Sequence, residues 1–215
     1  MKIAIINDTH FGARNDSSIF LDYFLQFFEE QFFPYCKENN IDQIIHLGDL
    51  MDRRKYVNFN TLHEVRTRFV DSLEKNKLHM HCILGNHDTF YKDTNDVNSS
   101  KELFVDRNNF FHLYEKPTAV EFDGLCIGLV PWISPEIKDE CLEFLKTCRC
   151  PIVGGHFELF GYEVLRGVKY QSGMSDDVLR RFELVLSGHF HSKSTKNNVY
   201  YLGTQYQITF SDLHD

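Results

Sequence analysis

The sequence predicts an α/β protein. Its first half alternates short apolar runs with longer stretches of helical period, in the order strand, helix, strand, helix, strand, which calls for a sheet covered by helices. Its second half sets several strand-like runs close together and adds more sheet than helix. With 215 residues, 42% of them hydrophobic and 25% charged, the chain can bury a full core. Residues 1–215 read as one domain, without repeats, low-complexity segments or an internal boundary.

Lys2 to Asn7 is the first expected strand. Ser17 to Asn39 is a helix with Phe20, Phe24, Phe27, Phe28 and Phe32 near helical spacing. It carries more apolar residues than one stripe requires, so burial on two sides is expected, a partner surface being the sharper reading. Pro34 marks its last part or a kink. Asp42 to Leu47 and Leu78 to Leu84 are strands, separated by a helix over Asn60 to Lys75 with Leu62, Val65, Phe69 and Leu73 on one stripe. Asp93 to Ser100 is polar and reads as a mobile loop. Phe111 to Tyr114, Ala119 to Phe122 and Leu125 to Val130 are strands, the last two joined by the hairpin signal Asp123-Gly124. Pro135 to Thr147 reads as helix, and Ile152 to Gly154, Leu184 to Leu186 and Val199 to Leu202 as further strands.

Lys plus Arg is 23 and Asp plus Glu is 31, so the net charge is −8. That disfavours a protein that coats nucleic acid by charge alone, unless carboxylates hold dications that reverse the local field. No run of 18 apolar residues exists and Met1 leads straight into a strand, so neither a membrane-spanning helix nor a secretory signal is expected. The six cysteines lack paired C-x-x-C spacing, and Cys82 and Cys126 lie inside apolar runs. Free thiols and a cytoplasmic setting follow as expectations.

Five clusters place Asp, Asn or His just after an apolar strand: Asp8-Thr9-His10, Gly48-Asp49-Leu50-Met51-Asp52, Gly85-Asn86-His87-Asp88, Gly154-Gly155-His156 and Gly188-His189-Phe190-His191. In an α/β sheet the carboxyl ends of the strands form one edge, where ligands bind. Imidazole and carboxylate together suit divalent transition metals. Asp8 and His10 stand at i and i+2, as do His189 and His191, so each pair can point one way from an extended strand end. Asp49 is the natural bridge between two cations. Two metals about 3.5–4 Å apart clamp a phosphate and lower the pKa of a bridging water.

This series resembles the calcineurin-like metallophosphoesterase superfamily over residues 8 to 191. The resemblance implies a β-sandwich of two mixed sheets flanked by helices and a site with two divalent ions, most often Mn²⁺. It implies that Asp8, His10 and His191 hold the first metal, that Asp49 bridges, and that Asn86, His156 and His189 hold the second. His87 matches the catalytic histidine that protonates the leaving oxygen, with Asp88 orienting it. The segments Leu78–Asp88, Lys116-Pro117-Thr118, Val130-Pro131-Trp132, Gly155–Leu159, Ser187–His191 and Tyr201-Leu202-Gly203-Thr204 resemble the SbcD-type double-strand-break repair nucleases, the branch that includes phage recombination endonuclease subunits.

That branch implies Mn²⁺-dependent 3′-to-5′ exonuclease and endonuclease activity on DNA in recombination and repair. It also implies an SbcC-type ATPase partner and a homodimer formed through helices, here around residues 60–75 and 99–105. Residues 1–215 would correspond to its catalytic domain without the C-terminal capping and partner-binding region. The alternatives are a small-molecule phosphodiesterase or phosphatase of the same fold and a non-catalytic binding module. The filled ligand positions and His87 argue against the last.

Other residues carry weaker signals. Arg53-Arg54-Lys55 are placed to meet DNA phosphates or to form a solvated charge run. Asp52 stands where some relatives place a histidine. Trp132 reads first as core and second as site wall; His46 reads as structural. His79 and His81 share a strand face, and His63, His112 and His214 read as surface residues.

Overall fold

The computed structural model describes residues 1–165 and 167–209. After β1 (Ile3–Ile6), α1 (Ser18–Phe27) passes through one wide π-helical stretch, Phe28–Phe32, into α2 (Phe33–Glu38). Pro34 lies in the first turn of α2; it lacks the N–H of a regular turn, and the wide turn ahead of it accommodates that loss. β2 (Gln43–His46) leads to α3 (Phe59–Glu64), where the Asn58 side chain accepts from the amides of Asn60 and Thr61. A second π stretch, Val65–Val70, joins α3 to α4 (Asp71–Asn76). Then come β3 (His79–Ile83), α5 (Ser99–Phe104), β4 (Phe111–Tyr114), β5 (Thr118–Phe122), β6 (Leu125–Val130), α6 (Lys138–Thr147) and β7 (Ile152–Gly155). The short hairpin β8 (Glu163–Leu165) and β9 (Val168–Lys169) precedes β10 (Leu184–Ser187), β11 (Ser194–Lys196) and β12 (Val199–Tyr201).

Apart from the two-stranded β8-β9 hairpin, the strands form two sheets, ordered β1-β2-β3-β4 and β11-β12-β10-β7-β6-β5. Only the second is mixed, with β12, β10, β7 and β6 parallel and antiparallel hairpins at its two ends. The first is parallel throughout, against the expectation of two mixed sheets, because helices carry the chain back before each new strand. Side chains alternate along these strands. In β2, Ile44 faces the helices with Phe24, Phe28, Phe69, Leu73 and Met80, while Ile45 faces the second sheet with Ile83, Ile127 and Leu129. On the far side α6 packs Leu145 near Val153, Val185 and Tyr201. The layers therefore run helix, sheet, sheet, helix. Against the expectation of burial on two sides, the first helix buries one face, with Leu21, Phe24 and Leu25, and leaves Ile19 and Tyr23 exposed on the other, because only one sheet packs against it. Asp123 (φ 49°) and Gly124 (φ 84°) make the expected tight turn between β5 and β6.

Some expectations need correction. The helix predicted from Pro135 begins at Lys138. The polar run from Asp93 is tied down rather than loose: Asn95 and Asn98 are buried, Asn98 caps α5, and Ser99 and Ser100 belong to that helix. His112 is half-buried against His79 and His81, not a surface residue, because β4 pairs with β3 and aligns their side chains. Cys126 and Cys150 are joined by a disulfide, against the expectation of six free thiols; the parallel register of β6 and β7 sets them side by side. The remaining four cysteines are free and buried. His214 lies outside the described residues. Among the described residues no helix is long and apolar enough to cross a membrane.

Candidate metal centre

The five clusters meet at the carboxyl edge of both sheets. Asp8 and His10 leave β1, Asp49 follows β2, Asn86 and His87 follow β3, His156 follows β7, and His189 and His191 follow β10. Three overlapping groups each bring their ligand atoms within 4.8 Å of one another: Asp8, His10 and His191; His10, Asp49 and His87; Asp49, His156 and His189. In the first, Nε2 of His10 lies 3.1 Å from Nε2 of His191 and 3.8 Å from Oδ1 of Asp8. Asn86 joins the last, its Oδ1 lying 3.0 Å from Nε2 of His156 and 2.9 Å from Nδ1 of His189. Oδ2 of Asp49 stands between the groups, 3.6 Å from Nε2 of His10 and 3.4 Å from Nε2 of His156. All seven expected ligand positions thus share one site.

Backbone shape positions these side chains. Asp8, His10, Asp49 and His189 all have left-handed φ values of 49°, 43°, 56° and 86°. Such conformations are costly for residues with a Cβ and cluster at functional sites. Gly48 and Gly85 allow the β2 and β3 loops to touch. A Cβ on Gly85 would collide with the Asp49 amide and carboxylate, and one on Gly48 would come within 2.6 Å of Nδ1 of His156.

Hydrogen bonds fix the rings. Nδ1 of His156 donates to the Leu47 carbonyl at 2.7 Å, which turns Nε2 towards Asp49. Nδ1 of His87 donates to the Asp52 carbonyl at 2.6 Å. The Asp8 carboxylate accepts from Asn7 Nδ2 at 2.7 Å and from the His189 amide at 2.9 Å.

Asp88 does not orient His87 as expected. Its buried carboxylate accepts from the amides of Asp49 (2.8 Å), Leu50 (3.0 Å), Met51 (3.2 Å) and Gly85 (2.8 Å), and so clamps the loop that carries Asp49. His46 is structural, its Nδ1 accepting from the Gly48 amide and its Nε2 lying 3.1 Å from the Thr9 hydroxyl.

The electrostatics are those of a buried anion pair wrapped in imidazoles. Burial would raise Asp8, but the His10 hydrogen bond and the charge of His156 outweigh it and hold the carboxyl at about 2. Asp49 is likewise held well below the usual range, since His156 and His10 overcome its desolvation. Burial lowers a histidine, yet Asp52, Asp8 and Asp49 raise His10 to about 10, and Asp49 raises His156 to about 9. His189, with burial and His156 acting against its charge, falls to about 4. Buried carboxylate and imidazole donors facing one another are a fitting set for divalent transition cations.

Residues of weaker signal also take their places. Asp52 sets Oδ1 3.2 Å from Nδ1 of His10. Trp132 is site wall rather than core, its ring centre 5.5 Å from that of His189 and 6.2 Å from that of His156. Arg53 pairs with Asp16 and Asn15, and Arg54 donates to the carbonyls of Thr89 and Tyr91, so both are committed within the chain; Lys55 is exposed. Asn7 had no reading as a site residue in the sequence, its one signal being adjacency to Asp8, while Asp52 stood in the second cluster without an assigned role.

Two sheets with a histidine–carboxylate centre at their shared carboxyl edge define a metal-dependent phosphoesterase. The chain belongs to the calcineurin-like phosphoesterase family, whose profile matches residues 1–193. It is 37% identical over 219 residues to exonuclease subunit 1 of enterobacteria phage T4, an alignment covering 100% of this chain and 62% of that protein. The chain therefore spans less than two thirds of that relative's length. Among solved structures it is similar in fold to GAP50, the anchor in the inner membrane complex of Plasmodium, with a TM-score of 0.55 and 15% identity over 94% of this chain and 70% of that one.

Proposed function

We propose that the chain is the catalytic domain of a DNA nuclease that hydrolyses phosphodiester bonds in recombination and repair, using two divalent ions, Mn²⁺ by preference. The observation that carries this reading is the convergence of all seven ligand-type side chains in one site, with Asp49 between the two groups and His87 beside it. The similarity to a phage exonuclease subunit supports exonuclease activity; DNA as substrate and an added endonuclease activity are proposed with it. Asp8, His10 and His191 would hold one ion and Asn86, His156 and His189 the other, with Asp49 shared. When bound, such ions polarise the phosphate and lower the pKa of water. The chain's own contribution is order. The Asp52 carbonyl holds the Nδ1 proton of His87, so Nε2 is the atom that exchanges a proton with the leaving oxygen.

The subunit name of the relative supports work within a complex, and an SbcC-type ATPase is the proposed partner. A homodimer is proposed through α3–α4 and α5. Exposed apolar side chains in these segments are Tyr56 (75% exposed) ahead of α3, Phe59 (87% exposed) at its start and Val97 ahead of α5. A host-cell cytoplasmic setting is proposed with the nuclease reading.

The test is Mn²⁺-dependent degradation of end-labelled linear DNA, single-stranded and duplex, against His87→Ala. Cleavage that disappears in the variant while metal binding persists is the expected result. Hydrolysis of simple phosphodiesters without any cleavage of DNA would favour the second reading, a small-molecule phosphodiesterase, which the net charge of −8 favours.

A further inference from the structure

The group formed by Asp49, His156 and His189 adjoins, through His156, a cleft of about 430 Å³. That lies in the range of small-ligand pockets, roughly 300–1,000 Å³. Trp132 and Pro135 from the segment between β6 and α6 line it with Lys138, the first residue of α6, and with Glu158 and Met174 from the segments flanking the β8–β9 hairpin, and His156 belongs to both cleft and metal-type group. Trp132 is the one tryptophan of the sequence. Its backbone is pinned on both sides, its amide donating to Leu84 at 2.7 Å and its carbonyl accepting from Asn95 Nδ2 at 3.1 Å. Its ring is tilted 39° to that of His189 at 5.5 Å. Glu158 is placed by a hydrogen bond from the Tyr170 hydroxyl, and its Oε1 lies 4.0 Å from Nε2 of His189. Lys138 is exposed.

We infer that this cleft receives the base of the nucleotide next to the scissile phosphate, stacked on Trp132. The inference rests on the nuclease reading and deepens it. A phosphate held among Asp49, Asn86, His156 and His189 leaves its sugar beside the site, and the sugar projects a flat base. The cleft starts at His156 and presents a fixed aromatic ring with a donor, Lys138, and an acceptor, Glu158, among its lining. Base–aromatic stacking tolerates any sequence, since every base has a π-face, which suits a nuclease that must process unrelated DNA. A simple phosphate ester would use the metal group and leave the aromatic wall without a partner.

Because Trp132 is the only tryptophan, its emission reports on the cleft directly. The experiment titrates Mn²⁺-loaded protein with dAMP and, in parallel, with 2-deoxyribose 5-phosphate and phosphotyrosine, and measures DNA cleavage by Trp132→Ala and Trp132→Phe. Saturable quenching by dAMP but not by the sugar phosphate is expected. KM for DNA should rise about tenfold in Trp132→Ala, more than kcat falls, and return towards wild type in Trp132→Phe. An equal response to the sugar phosphate, a preference for phosphotyrosine, or an unchanged KM in Trp132→Ala would each overturn the assignment. If the wild type cleaves no DNA the nuclease reading fails, and the fluorescence titration still decides whether the cleft takes a base.

Discussion

The Asp52 carbonyl accepts the Nδ1 proton of His87 at 2.6 Å, while the carboxylate of the same residue stands 3.2 Å from Nδ1 of His10. One residue thus holds two imidazoles by different chemistry. Side-chain replacement removes the hold on His10 and leaves the peptide hold on His87.

Asp52→Ala is therefore expected to weaken binding of the cation held by His10 by about 10- to 100-fold, the usual effect of losing a carboxylate behind a ligating histidine. Asp52→Asn, which keeps an acceptor, should recover part of the loss. Calorimetric titration with Mn²⁺ reads this without reference to turnover. Equal affinity in all three proteins would show that Asp52 does not position His10.

Asp88→Ala should act on stability before it acts on chemistry. It strands the amides of Asp49, Leu50, Met51 and Gly85 in a buried loop. Leaving several buried donors unsatisfied costs about 3 kcal/mol or more. Urea denaturation of the metal-free protein measures it, and a change below about 1 kcal/mol would contradict the clamp.

Gly85→Ala tests the contact between the β2 and β3 loops. The added methyl would occupy the position of the Asp49 amide and carboxylate. Overpacking of this kind costs about 1–3 kcal/mol, and here it also displaces Asp49 from between the two groups. The expected result is a folded but less stable protein with reduced metal stoichiometry, read by denaturation and metal analysis.

On β3, His81 makes stability depend on pH. Its Nδ1 lies 2.8 Å from the Tyr114 hydroxyl and its Nε2 3.0 Å from Gln43 Oε1. Burial, then the neighbouring His112 and His79, lower it from 6.5 to about 4. The unfolded chain therefore binds this proton more tightly. The stability contribution is complete above pH 6.5 and is lost as pH falls from 6.5 towards 4. The urea midpoint should drop between pH 7 and pH 5, and drop less in His81→Gln.

The sequence by itself determined the order of elements, the Asp123-Gly124 turn and the roll of residues gathered at the centre. These are local matters. Period and turn chemistry are written in neighbouring residues, and a polar cluster after each parallel strand must lie on one edge. Only the tertiary structure decided which partner each residue meets. Asp88 clamps amides of the Asp49 loop because the β2 and β3 ends lie side by side, and His87 takes its hold from a carbonyl, a group every residue carries. Cys126 finds Cys150, and His112 stacks on His81, through strand register. Trp132 becomes wall rather than core because its loop is drawn over the site by Leu84 and Asn95. Contacts between residues distant in the chain depend on how layers pack, and neither spacing nor composition records that.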